Sequence, residues 1–430
     1  MLRWAVYFLL CATSLGRAEG FISGADFSLL AFFEQRGVVY RDNGEVKDGL
    51  AILKQHGLNC VRLRLFTSNA VQAQANPYNY TNNLDYTLPL AVRVKSNGLR
   101  FMLDFHYSDT WADPGKQTKP VAWTNLPFAQ LVQKMQEYNS NCIAAFKLAG
   151  AMPDYVQVGN EITSGLLWPE GRVGTANDSA QWPQLGQLLK AAIQGIRDAS
   201  GTTSPLIIVH LDRGGDWDAT KWFFDNLAQQ GVAFDIIGES YYPWWHGSFA
   251  SLARCLTNAA SQYHKPVLIA ETAFPWTNSY WTTNIYGLLP SPGGQVQFVV
   301  ALSQVLKNLP LELTAGVCWW GTEYQQVSGV SEAGFNTASF FDSNGNLLPV
   351  ADAVGQLAAP VLLSASLSNS VLTLRWPLSG ARASLKTATS LDSGTVWTPV
   401  TNAPQNTNAF FTLTLPWQGG LSRFYRLISN

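Results

Sequence analysis

The sequence predicts an α/β fold, a (β/α)8 TIM barrel of parallel strands, followed by a small C-terminal all-β domain of sandwich-like type. Three observations lead there. Up to Gln356, eight short apolar runs alternate strictly with stretches of helical period. Most of these runs end at a carboxylate, an amide or an aromatic residue, as barrel strands do where they open onto the βα loops. Beyond Gln356 the chain turns rich in Ser, Thr and Asn, with short alternating runs between turn residues. A length of 430 residues suits a barrel with one appendage.

Phe21 to Asp26 reads as the first strand, ending at a carboxylate. Asp48 to His56 is helical in period and stops at Gly57. The second strand, Asn59 to Phe66, alternates arginine with aliphatic residues. Arg62 and Arg64 therefore share one side, either the lumen or the helix layer. A helix from Tyr86 to Lys95 leads to the third strand, Leu99 to Tyr107, and then to a polar and aromatic loop, Ser108 to Gly115. The fourth strand, Val156 to Val158, runs into Gly159-Asn160-Glu161, with Trp168 in the next loop. Pro205 to Asp212 is the fifth strand and the run from Phe234 through Tyr241 and Tyr242 the sixth. The seventh starts at Val267 and ends at Glu271, and the eighth is Ala315 to Gly321. Strands recur every ~30 to ~55 residues, the spacing of βα units with some enlarged loops. No Gly-rich phosphate loop follows a strand, which argues against an open dinucleotide-binding sheet. In the tail, runs at Val371 to Trp376, Ala383 to Ala388, Phe410 to Leu415 and Arg423 to Leu427 predict strands. That region is read as an attachment, sorting or polysaccharide-binding module, or as a stabilising one.

Ahead of the barrel, Met1 to Leu15 combines a basic start with a short apolar run, and Gly16-Arg17-Ala18 supplies a small-x-small cleavage pattern. The expected organisation is a signal peptide at 1–18 cleaved after Ala18, a barrel domain at 19–356 and an accessory domain at 357–430. The apolar run falls short of the ~20 residues that cross a bilayer, so a secreted or extracytoplasmic protein without a membrane span is expected. Net charge is −1 and charged residues make up 13 %, too little basic character for a nucleic-acid partner. The 16 Trp stand out, because indole faces stack on the apolar C–H faces of sugar rings. Cys60, Cys142, Cys255 and Cys318 match neither a zinc pattern nor a dense disulfide framework. Cys60 and Cys318 read as small buried hydrophobes, and a disulfide stays open.

Glycosidic cleavage requires a carboxylic acid to protonate the leaving oxygen and a carboxylate on the sugar's other side. Glu161 and Glu271 lie three βα units apart and so face each other across the barrel mouth. Asn160 is placed to donate to a sugar hydroxyl. Arg62 is placed to hold Glu271 ionised, with Tyr242 or Tyr241 orienting it, and Trp320 to floor a sugar subsite. Glu161 is expected to have a raised pKa, mainly through the negative charge on Glu271. Simpler readings stand beside these. Arg62 or Arg64 can be a structural ion-pair partner, His106 a satisfied core histidine, and Glu239 a strand-six carboxylate facing away from the lumen. Five His without a His-Glu-x-x-His pattern argue against metal hydrolysis, and no Gly-x-Ser-x-Gly elbow is present.

The stretches Gly24-Ala-Asp-Phe-Ser28, Asn59-Cys-Val-Arg-Leu-Arg64, Asp104-Phe-His-Tyr-Ser-Asp-Thr-Trp-Ala-Asp-Pro114, Val158-Gly-Asn-Glu-Ile162, Gly165-Leu-Leu-Trp-Pro169, Ser240-Tyr-Tyr-Pro243 and Ala270-Glu-Thr272 resemble glycoside hydrolase family 53. The resemblance implies a retaining endo-β-1,4-galactanase acting on the galactan side chains of pectin, with carboxyls ~5–5.5 Å apart. It implies Glu161 as acid/base and Glu271 as nucleophile. Arg62, Asp104, His106, Asn160 and Trp320 match positions in or near the family's active site, with Trp111 and Trp168 along the substrate groove. No cofactor is implied. Some bacterial relatives bind calcium in a late loop, for which no ligands can be placed here. A monomer is expected. Two departures touch the barrel mouth: Trp320-Gly-Thr-Glu323 stands where the family has Trp-Glu-Pro, and Glu239 where it has an aliphatic residue. An endo-β-mannanase or β-glucanase on the same scaffold, and a non-catalytic polysaccharide-binding protein, are the rival readings.

Overall fold

The computed structural model describes residues 20–279, 285–330, 334–392, 394–407, 409–417 and 422–429. The leader expected at 1–18 lies outside them. Eight parallel strands close into a barrel: β1 (Ile22–Asp26), β2 (Cys60–Leu65), β3 (Arg100–Phe105), β4 (Tyr155–Val158), β5 (Leu206–Leu211), β6 (Ile236–Tyr241), β7 (Val267–Thr272) and β8 (Thr314–Trp319). β8 pairs back with β1, with Ile22 opposite Gly316 and Ala25 opposite Trp319. A main helix follows each strand: α1 (Gly49–Gln55), α2 (Leu84–Ser96), α3 (Phe128–Leu148), α4 (Asp178–Ser200), α5 (Trp217–Gln229), α6 (Phe249–Tyr263), α7 (Pro292–Leu306) and α8 (Val350–Gln356).

Local chemistry sets several helix starts. The side chains of Asp48, Asn83, Ser248 and Ser291 accept backbone N–H bonds at the first turns of α1, α2, α6 and α7. Each satisfies a donor that the helix itself leaves unpaired. The apolar stripes of these helices pack on the outer faces of the strands and form the large core. Inside the barrel a second apolar layer takes at least one side chain from every strand, among them Ile22, Cys60, Met102, Tyr155, Ile208 and Leu268. That layer plugs the lower lumen, so polar inward residues are confined to the carboxyl ends of the strands. Cys60, Cys142, Cys255 and Cys318 are all buried free thiols. Among the described residues no helix is long and apolar enough to cross a membrane.

Beyond α8 the chain forms two antiparallel sheets. One has the order β9 (Ser364–Ser368), β10 (Val371–Pro377), β14 (Phe410–Pro416), β13 (Gln405–Thr407). The other has the order β12 (Thr398–Pro399), β11 (Ala383–Ala388), β15 (Phe424–Ser429). Leu372, Leu374, Leu385, Phe411 and Leu413 fill their interior. Trp376 is buried there against Phe411, with ring centroids 5.8 Å apart, so it is a core residue. Arg382 ties this region to the barrel by donating to the carbonyls of Leu306 and Leu309 near the end of α7.

Candidate active site

Strand parity brings Arg62 and Arg64 into the lumen from β2, Asp26 from β1, Asp104 from β3 and Gln157 from β4. Two local irregularities then aim the carboxyls. After β4 the backbone turns sharply, with φ of +99° at Gly159 and +49° at Glu161. A Cβ at Gly159 would lie 2.6 Å from the Ile162 side chain, so only glycine fits. A left-handed glutamate is strained, and such strain persists where the surroundings hold a functional geometry. On β7 the pairing with β6 slips: Glu239 is opposite Ile269, but Ser240 is opposite Glu271. Ala270 belongs to the inner apolar layer, yet its neighbour Glu271 also faces inward and lines the cavity above. The bulge gives two consecutive residues the same side, which strict alternation forbids.

Arg62 is the hub of the charged layer. Its Nη1 lies 2.9 Å from Asp26 Oδ2, and its Nη2 lies 2.8 Å from Asp104 Oδ2 and 2.9 Å from Glu271 Oε1. The same Nη2 donates to Asn160 Oδ1 at 2.9 Å. Asn160 Nδ2 donates to the Ala112 carbonyl at 2.9 Å. Burial would raise the Asp104 carboxyl, but Arg62 and His106 outweigh it and hold the group below its ordinary value. Glu271 accepts a bond from the Tyr242 hydroxyl at 2.9 Å on Oε2. Burial pushes Glu271 up, and Arg62 is the largest influence pulling it back.

Among the described residues Glu161 has no cation in direct contact. Its Oε1 accepts from Ser240 Oγ at 2.6 Å. Gln157 Nε2 lies 2.9 Å from His210 Nδ1, and an amide nitrogen donates, so Nδ1 is the acceptor. The proton then sits on His210 Nε2, which is 2.9 Å from Ser240 Oγ. The polar chain Gln157, His210, Ser240 therefore ends on Glu161. Burial keeps His210 well below its usual pKa, so the ring is neutral. Glu161 is raised well above the usual carboxyl value, first by burial, then by Glu271 and Asp212. Sequence reasoning put the charge of Glu271 first; loss of water is the larger cause.

A cavity of about 620 Å³ lies over this layer, and both glutamates line it. Trp111, His106, Asn160, Tyr242 and Trp320 line it too. Arg64 lies beneath the aromatic wall, its guanidinium 4.3 Å from the Trp111 ring and 5.7 Å from that of Trp320. His106 Nδ1 accepts the Ala112 N–H at 2.9 Å, which leaves Nε2 facing Asp104 Oδ2 at 3.0 Å. Arg62 and Asp104 do not line the cavity; they lie under it and act on the residues that do. Trp168 is also absent from its lining. Its Nε1 donates to the Ser164 carbonyl, and Arg172 covers its ring at 4.3 Å, so local contacts occupy the indole. Glu239 faces the helix layer, accepting from Thr220 Oγ1 of α5 at 2.9 Å. Tyr241 also turns outward and donates to the Gly247 carbonyl. Glu323 is buried and accepts the Leu29 N–H, with burial raising it to about 8.

Sequence reasoning assigned no role to Gln157, His210, Asp212 or Ser240. Their signal was parity: each sits at an inward position near the carboxyl end of its strand. Among the described residues no cluster of His, Cys, Asp and Glu could hold a metal ion.

The model of glycosyl hydrolase family 53 matches residues 22–354. An arabinogalactan endo-beta-1,4-galactanase of Humicola insolens is 35% identical over 308 residues, which is 69% of this chain and 88% of the relative. An uncharacterized protein of Niallia circulans is 40% identical over 317 residues, or 71% of this chain and 84% of the relative. Among solved structures, the family 53 catalytic domain of Ignisphaera aggregans aligns with a TM-score of 0.71 and 33% identity. The alignment covers 82% of this chain and 99% of that one.

Proposed function

This chain belongs to glycosyl hydrolase family 53 and is a glycoside hydrolase, and from that premise we propose a secreted, retaining endo-β-1,4-galactanase acting on type I arabinogalactan. The observation that carries the mechanism is the unequal setting of two carboxyls in one cavity. Arg62 and Tyr242 hold Glu271, while Glu161 meets a serine hydroxyl.

In the first step Glu161, protonated, donates to the glycosidic oxygen. Glu271, ionised against Arg62, attacks the anomeric carbon, and the leaving chain departs as an alcohol. In the second step Glu161, now a carboxylate, takes a proton from water as that water displaces Glu271 with a second inversion. Acid/base assistance of this kind is worth roughly 10²–10⁴-fold in rate. Ser240 holds Glu161 Oε1, so the transferable proton sits on Oε2. Asn160, fixed by Arg62 and the Ala112 carbonyl, keeps one amide hydrogen for a sugar hydroxyl. Trp111 and Trp320 offer apolar ring faces to the sugar. Secretion rests on the leader sequence at 1–18, and no resident cofactor enters this reading.

The test is reducing-sugar release from debranched galactan, with NMR assignment of the first anomer formed. Wild type should release β-configured reducing ends, and Glu271→Ala should lose roughly 10⁴-fold or more of that rate. Turnover of mannan or β-glucan with galactan untouched would replace the substrate; first products of α configuration would remove the double displacement.

A further inference from the structure

The region beyond Gln356 has a charge balance opposite to that of the barrel. It holds five of the 28 basic residues but one of the 29 acidic ones, in a chain whose net charge is −1. Arg382 is occupied by the carbonyls of Leu306 and Leu309, which leaves Arg375, Lys386, Arg423 and Arg426. Three of these belong to one sheet. Leu385 of β11 lies opposite Leu427 of β15, and both are buried, so that pair faces the interior. The next pair along, Lys386 opposite Arg426, therefore faces outward. Pro399 of β12 lies beside Lys386, and Trp397, two residues earlier, falls on the same side. The Arg426 guanidinium sits 4.1 Å over the Trp397 ring. Arg423 is exposed just ahead of β15.

Like charges directly opposite each other weaken a sheet. Here nothing offsets them: among the described residues none of Lys386, Arg423 and Arg426 is paired with a carboxylate. The region's single acid, Asp392, lies in the connection between β11 and β12. Uncompensated cations gathered on one face of a chain that is otherwise acidic are complementary to a polyanion.

We propose that the outer face of β12, β11 and β15 binds a polyuronate, a glycan whose pyranose rings carry carboxylates, through Lys386, Arg423 and Arg426 with Trp397 among them. The choice of a glycan among polyanions rests on the galactanase reading, in which the substrate is a neutral side chain of pectin. An indole set beside cations matches a sugar ring, which has an apolar face and here an anionic substituent. Arg382 anchors the region where α7 runs toward β8, at the amino ends of the barrel strands, whereas the cleft opens at their carboxyl ends. The face therefore holds an acidic polymer without entering the cleft that cuts a neutral one.

The experiment measures equilibrium binding of the full chain to immobilised polygalacturonate, to the same polymer fully methyl-esterified, to duplex DNA and to phosphatidylglycerol vesicles. Wild type should bind polygalacturonate at 0.1 M salt, release it at 1 M as the screening length falls from ~10 Å to ~3 Å, and ignore the esterified polymer. Lys386→Gln combined with Arg426→Gln should raise Kd about tenfold, the scale of two exposed ion pairs. Lys386→Arg should retain affinity, and so should Arg375→Gln, which alters the other sheet. Equal binding to the esterified polymer, an unchanged Kd in the double variant, or an equal loss in Arg375→Gln would overturn the proposal. DNA or vesicles bound as tightly as polygalacturonate would overturn it too. If the double variant does not fold, the esterified polymer decides on wild type alone. Binding is read without turnover, so failure of the galactanase reading shows separately, in the galactan assay.

Discussion

Glu271 and Glu161 reach one cavity from opposite walls, yet their neighbourhoods differ in kind. On the β7 wall, Glu271 shares Arg62 with Asp26 and Asp104 and takes a second bond from Tyr242. On the β4 wall, Glu161 accepts from Ser240, at the end of a chain of neutral groups. Both carboxyls are desolvated, which raises both. What separates them is the placement of the cation, because a guanidinium in contact stabilises the ionised form and a hydroxyl does so only weakly. This contrast in contacts supports the proposed division of labour, in which the Glu161 wall supplies the proton.

The largest effect expected from breaking this contrast is that of Arg62→Met. It removes the guanidinium shared by Asp26, Asp104 and Glu271: Asp26 keeps Arg64 at 3.2 Å and Asp104 keeps His106 at 3.0 Å, while buried Glu271 loses its contacting cation. Stability should fall by about 3–5 kcal/mol in chemical denaturation, and kcat/KM by roughly 10³-fold. A folded Arg62→Met enzyme with near-normal activity would show that the cation does not set the roles.

A finer pair of variants separates the two walls. The Tyr242 bond lowers the pKa of Glu271, so Tyr242→Phe should raise it and move the acid limb of the kcat/KM profile to higher pH. The Ser240 bond lowers that of Glu161, so Ser240→Ala should move the basic limb to higher pH. Each should cost about tenfold at the optimum. The limbs report macroscopic values of a coupled pair, so the decisive sign is which limb moves more. Equal movement of both limbs in both variants would erase the distinction between the walls.

The smallest effect serves as a control at the other end of the barrel. His56 bonds Asp352 at 2.7 Å and faces Asp42 at 3.4 Å, and the Asp352 bond raises its pKa. A raised folded-state value means the contact stabilises fully below the unfolded pKa of about 6.5 and is lost as pH rises through the folded one. Asp352 is half exposed, so solvent screening limits the gain to under ~1 kcal/mol. Thermal melts should show His56→Gln losing stability at pH 5.5 and converging on wild type in mild alkali, with neither limb of the rate profile moved. A loss that grew with pH would reverse the sign.

Much of this molecule was readable from residue order. Eight strand runs with inward polar ends, the shared side of Arg62 and Arg64, and the helix stop at Gly57 all follow from periodicity and local chemistry. Short strands were harder. Ser364–Ser368, Thr398–Pro399 and Gln405–Thr407 carry few apolar residues, so their pairing partners, rather than their own pattern, make them strands. The neighbourhood of Trp168 was not legible either: Arg172, only four residues on, stacks over its ring, a contact set by how the loop after Glu161 folds back.

The sequence by itself determined the barrel and named both glutamates, since apolar period and strand-end chemistry are local properties of the chain. Tertiary structure alone decided how differently the two carboxyls are surrounded. The bulge that turns Glu271 inward, the Gln157–His210–Ser240 chain and the Arg62 network join residues from strands far apart in sequence. Their geometry depends on register and closure, and no periodicity along a single strand encodes where its neighbour's side chain will stand.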